Sequence, residues 1–154
     1  MKTPAERFWE KVDKSGACWL WTASRNPVSG YGQFNAGRTP TQAHRFSYAL
    51  AHGPIPKGKV IDHICRVPAC VNPAHLRAVS PKQNAEHLAL NTNNKSGVRG
   101  VSWCTTRNKW KACVKHNYRT LSVGYFHDLE EAKAAVIAKR NELFTHNDLD
   151  RRTA

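Results

Sequence analysis

Residues 62–76 read DHICRVPACVNPAHL and gather two histidines and two cysteines into fifteen positions. With Asn84 the series His63, Cys65, Cys70, His75, Asn84 has the spacing H-x-C-x4-C-x4-H-x8-N. Structural zinc takes four thiolate or imidazole ligands in a tetrahedron, and Cys65, Cys70 and His75 supply three of them. Cys18, the one other cysteine in this half of the chain, is the expected fourth, with His44 as the substitute. Five cysteines in a chain whose N-terminus lacks the apolar middle of a signal peptide are poor disulfide material, so clustered ones read as metal ligands. Cys104 and Cys113 lack metal-like spacing and are expected to pack. Asn72, just before Pro73, is expected to tie the loop through its amide.

The elements that position this stretch follow from local patterns. KVID reads as a strand ending at Asp62, and LRAV as a returning strand. Ser80 as N-cap, Pro81 at the first helical position and Gln83 at the capping-box position start a helix in SPKQNAEHLAL. Asn84 and His87 then lie three apart on one face; His87 is either a further metal ligand or a helix-surface residue. Upstream, TPAERFWEKV predicts a short helix from Pro4, GYGQF a strand, and AHRFSYALAHG a helix ending at Gly53. The order around the cluster is therefore strand, ligand-rich loop, strand, helix.

A polar stretch at residues 88–97, LALNTNNKSG, has linker composition and sets an expected boundary near residue 92, giving modules 1–91 and 92–154. In the second module, Lys95 to Arg119 holds seven lysines and arginines and no acidic residue. GVRGVSWC, KWKACVKH and RTLSVGYF predict three strands, and DLEEAKAAVIAKRNELF a helix opened by Asp128 and Glu131. A three-stranded antiparallel sheet packed on one helix follows.

The formal net charge of +13 favours a polyanionic partner. No apolar run approaches the roughly 18 residues of a membrane span, so nucleic acid is expected over a membrane and the chain reads as cytoplasmic; double-stranded DNA as the partner is what the resemblances below imply. An RNA-binding or membrane-surface protein would explain the charge but not the ligand pattern.

The His63 to Asn84 series, with CWLW, GYGQF and AHRFSY ahead of it, resembles the HNH or His-Me finger endonucleases, and within them the His-Cys box homing enzymes. The resemblance covers roughly residues 15–90 and implies a ββα-metal fold, general base His63, a zinc site of Cys18, Cys65, Cys70 and His75, and Asn84 as ligand of the catalytic metal. Asp62 before the base resembles the broader HNH branch, which implies a second oxygen ligand. Such oxygen donors suit Mg²⁺ or Mn²⁺, whereas thiolates suit zinc. Arg38 and Arg45 are candidates for holding the scissile phosphate, and Arg45 reads equally well as a surface cation.

Residues 96–143 resemble the APETALA2/ERF DNA-binding domain through RGVSW, KW, VGYF and EEAKAA. That resemblance implies a sheet reading DNA with Arg99, Trp103, Trp110, Lys115 and Arg119, beside the basic neighbours Lys109 and Lys111. Trp103 and Trp110 could instead belong to the core. The expectation is thus an α+β, site-directed DNA endonuclease of phage or homing type with a histidine base and one catalytic cation. The alternative is a catalytically silent DNA-binding regulator. Monomer and homodimer, and nicking and double-strand cleavage, stay open.

Overall fold

The computed structural model describes residues 2–37, 39–87 and 90–152. They form two compact units, Met1–Pro81 and Lys82–Ala154.

The first unit opens with α1 (Pro4–Trp9), begun by a reciprocal cap: the Thr3 hydroxyl accepts from the Glu6 N–H and the Glu6 carboxylate from the Thr3 N–H. Helix α1 buries Phe8 against Trp21, ring centroids 5.0 Å apart, and against Phe34 at 5.1 Å. With Ala43 and Val71 these rings form the unit's apolar core. Short antiparallel pairs wrap it: β1 (Val12–Asp13) with β2 (Leu20–Trp21), and β3 (Gln33–Asn35) with β4 (Pro40–Gln42). Next comes α2 (Ala43–His52), which ends where Gly53, at φ +84°, returns its N–H to the Ala49 carbonyl. Strands β5 (Val60–His63) and β6 (Leu76–Val79) pair antiparallel, with Asp62 opposite Arg77 and His63 opposite Leu76. Helix α3 (Pro81–Glu86) follows β6 directly. The expected order of strand, loop, strand and helix is present.

In the second unit β7 (Val101–Cys104), β8 (Lys109–His116) and β9 (Arg119–Phe126) make one antiparallel sheet in that order. Helix α4 (Leu129–Leu143) packs on it, its N-terminus capped by the Asp128 carboxylate accepting from the Glu130 and Glu131 N–H groups. Val101, Ala112 and Val114 of the sheet, Ala132 and Val136 of α4, and Phe144 make the core. Helix α5 (Asp148–Arg152) is fastened by a two-pronged pair from buried Arg140 to Asp150, at 2.5 and 2.9 Å.

The division falls at Pro81/Lys82, ahead of the polar stretch that suggests residue 92. The reason is a set of contacts that α3 makes inside the second unit. Arg99 donates to the carbonyls of Ala85 and Glu86 at 2.8 and 2.7 Å, and the buried Glu86 carboxylate accepts the N–H groups of Thr145 and His146. Linker composition marks where a chain is polar, but compactness follows such contacts. Among the described residues, no helix is long and apolar enough to cross a membrane.

Candidate functional site

Two backbone ladders assemble the ligand-rich loop. The segment around Trp19–Trp21 runs against 69–71: Trp21 donates to the Ala69 carbonyl at 2.9 Å and Val71 to the Trp19 carbonyl at 2.7 Å. That pairing, with a bridge between Leu20 and Cys70, carries Cys18 to the loop. Asn72 closes it as expected, its amide donating to the Ala17 carbonyl at 2.9 Å while its oxygen accepts from the Ala74 N–H. A single 3-10 turn, Pro73–His75, then aims His75, and Ile64 bonds the His75 carbonyl. On the other side Ser47 of α2, fully buried, donates to the Val71 carbonyl at 2.5 Å.

The outcome is one cluster of four side chains, Cys18, Cys65, Cys70 and His75, whose ligand atoms all lie within 4.8 Å of one another. The His75 Nδ1 stands 3.6 Å from the Sγ atoms of both Cys18 and Cys70. Zn–S and Zn–N bonds of about 2.3 and 2.05 Å at tetrahedral angles put sulfur and nitrogen roughly 3.6 Å apart, so the donor set fits a tetrahedral ion. Its charge chemistry agrees. Burial, with neighbouring Cys65 and Cys18 adding, pushes the Cys70 thiol up to about 12, and burial also raises Cys65. Crowded thiolates of this kind need a cation among them. His44 stands outside the cluster, so of the two proposed fourth ligands the fold brings in Cys18.

His63 lies beside the cluster without joining it, 6% exposed at the end of β5. One of its nitrogens, Nε2, is 2.9 Å from the Cys70 carbonyl oxygen. A carbonyl can only accept, so Nε2 carries the hydrogen and in the neutral ring Nδ1 keeps a bare lone pair. Burial lowers the His63 pKa, partly offset by the Cys70 carbonyl and Asp62, which favours that neutral form. The ring is steadied by His44 at 4.8 Å and Tyr31 at 5.7 Å, centroid to centroid. His44 itself is 4% exposed, and burial first, then His63 and Arg45, depress its pKa to about 3. Beside them Asp62 is buried too, with Arg77 Nε donating to its Oδ2 at 2.8 Å across the strand pair.

The remaining expected site residues are scattered. Arg45 lies half-buried in the first turn of α2. Arg38 lies outside the described residues. Asn84 is half-buried on α3 within the second unit. His87 is not a helix-surface residue: it is buried, with Nε2 3.7 Å from the Asp148 carboxylate. Arg77, Tyr31 and the packing role of His44 went unread in the sequence. Arg77 depends on the β5–β6 register, which the long connecting loop does not fix from sequence, and the two rings reach His63 from distant elements with no local signal.

In the second unit, strand alternation sorts the basic and aromatic residues onto different faces. Trp110, Ala112 and Val114 point to α4, and Trp103, paired with Trp110, shares that side with ring centroids 5.0 Å apart. Trp110 packs on the core and Trp103 stays 45% exposed. A free face bearing both tryptophans and the lysines is thus not what forms. Lys109, Lys111 and Lys115 alternate onto the opposite face, joined by Arg107, which sequence reading passed over and which stacks over Tyr125 at 4.4 Å. Arg119 is exposed at the hairpin end, while Arg99 is engaged with the α3 carbonyls.

Residues 41–86 match the model of a family described as HNH endonuclease. Among curated proteins of Escherichia phage T7, the chain is 37% identical to Protein 3.8 over 101 residues, 62% of this chain and 78% of that protein. It is 35% identical to Protein 7.7 and 34% identical to Protein 2.8, spanning 61% and 60% of their lengths. No solved structure matches. The matched segment runs from β4 through His63 and three of the four cluster residues, Cys65, Cys70 and His75, to the end of α3, and with most of Protein 3.8 covered at this identity, the chain belongs to the family of that phage protein and carries an HNH endonuclease segment at residues 41–86.

Proposed function

We propose that the protein is a metal-dependent DNA endonuclease of the ββα-metal type, with a structural zinc and a separate catalytic cation, whose second unit grips duplex DNA. The observation that carries the reading is His63: a buried imidazole in the HNH segment whose Nε2 is bonded to the Cys70 carbonyl, which leaves Nδ1 as the nitrogen able to take a proton. The Cys70 carbonyl orients the ring, and Nδ1 takes the proton from the water that attacks the phosphodiester. Tyr31 and His44 hold the ring against rotation and keep bulk water from its face.

Cys18, Cys65, Cys70 and the His75 Nδ1 would hold the zinc, which would cross-link elements that a core this small holds only weakly. By the resemblance alone, Asp62 and Asn84 would be the oxygen donors for Mg²⁺ or Mn²⁺. Their hard donor chemistry fits that ion, and the Arg77 contact fixes the Asp62 carboxylate in one orientation. A divalent cation there supplies charge neutralisation at the phosphate and leaving oxygen. Arg45, and Arg38 by the sequence argument, are the candidate phosphate holders.

The reading is tested with supercoiled plasmid. Full-length protein with Mg²⁺ or Mn²⁺ is expected to nick or linearise it, and EDTA to stop the reaction. Tight plasmid binding without any cleavage under zinc-replete conditions would favour the DNA-binding regulator instead.

On the second unit we propose that the face of Arg107, Lys109, Lys111 and Lys115 contacts phosphates, in the manner of the APETALA2/ERF resemblance but with fewer aromatic contacts. Changing Lys109, Lys111 and Lys115 together to Gln is expected to weaken duplex binding uniformly across sequences. It should also flatten the dependence of log K on log salt by about 0.9 for each phosphate that is no longer neutralised. A slope equal to that of the parent protein would remove these lysines from the interface.

A further inference from the structure

The hairpin joining β8 to β9 turns through Asn117 and Tyr118, with φ angles of +48° and +62°. Tandem left-handed residues make the tight turn that suits strand twist, and its second position is where glycine is cheapest. A bulky side chain there is an outlier on backbone grounds alone. Tyr118 is also 97% exposed, so the ring gives the fold nothing in return. An exposed ring alone is ordinary, but with the left-handed backbone it describes an aromatic side chain carried at a steric cost at the tip of the hairpin. Its surroundings are cationic: Lys115 and Arg119 flank the turn, at the end of a segment from Lys95 without a single acidic residue.

We propose that Tyr118 is a DNA-contacting residue whose ring packs against the bases of the duplex, an uncharged contact at the tip of the lysine-bearing sheet. The inference rests on the DNA reading above and extends it to a specific aromatic probe. Charge calls for a polyanion and the nuclease reading makes it DNA: cations beside a ring hold a phosphate backbone in place while the ring meets a base. An aromatic or apolar wedge of this kind gains contact where bases partly unstack.

The test compares full-length parent, Tyr118→Gly, Tyr118→Phe and Tyr118→Ala proteins on a random-sequence duplex containing 5-iodouracil. Tyr118→Gly relieves the left-handed backbone, so it is expected to melt no lower than the parent, yet to bind the duplex about tenfold more weakly. Its salt slope should not change, because no charge has been removed. Tyr118→Phe should bind like the parent, and irradiation should attach the parent's DNA to the peptide containing residue 118. Parent-like affinity of the Gly and Ala variants overturns the inference while leaving the nuclease reading intact. A markedly lower melting point for Tyr118→Gly also overturns it, by showing that the ring serves the fold. Parent protein that binds no duplex sinks both readings, and loss of binding to phosphatidylserine vesicles but not to DNA reassigns the ring to a membrane surface.

Discussion

His63→Ala is expected to lower the plasmid cleavage rate by about 10²–10⁴-fold, the usual loss when a general base is removed. Zinc content and duplex affinity should stay close to those of the parent, because His63 neighbours the cluster without being one of its four members. The ring is buried against Tyr31 and His44, so the alanine also leaves a small void. His63→Asn, closer in size, controls for that and should be equally inactive, since an amide cannot take the proton. Asn84→Ala is expected to lose cleavage by a different route, weaker binding of the catalytic cation, so raised Mn²⁺ should recover part of its rate and none of that of His63→Ala. Variants at both positions cutting at the parent rate would overturn the assignment of His63 and Asn84 to the active site.

The second large effect concerns the cluster. Cys18→Ser, or prolonged chelation, is expected to empty the zinc site and unfold the first unit. The metal's contribution to small zinc domains, about 10–16 kcal/mol, is as large as the roughly 5–15 kcal/mol by which whole domains are stable. Metal analysis with circular dichroism reads both consequences: zinc below one equivalent and loss of the first unit's ordered signal. His44→Gln, by contrast, should retain a full equivalent of zinc, because its ring lies against Tyr31 and His63 instead of the cysteines. Chelator-treated protein that melts like the untreated protein would show that the cysteines simply pack.

The local elements were legible because their causes are local. A cap works within one helical turn, so Thr3 with Glu6 and Asp128 with Glu130 and Glu131 announce the starts of α1 and α4 in the sequence. Alternation in KWKACVKH likewise separates the lysines from Trp110, Ala112 and Val114 on β8. The types and spacing of Cys65, Cys70 and His75 carry the donor chemistry by themselves, since thiolate and imidazole together suit zinc.

Which groups meet was decided by tertiary structure. Cys18 prevails over His44 because the backbone ladder between 19–21 and 69–71 delivers one and α2 turns the other toward Tyr31. Register alone sets Arg77 opposite Asp62, and the Cys70 carbonyl alone fixes which nitrogen of His63 is bare. The unit boundary moves to Pro81/Lys82 through Arg99 and Glu86, whose partners come from both ends of the second unit. Propensity and capping act over three or four residues, whereas a ligand set, a tautomer and a domain edge depend on contacts between residues far apart in the chain, which only the folded backbone brings together.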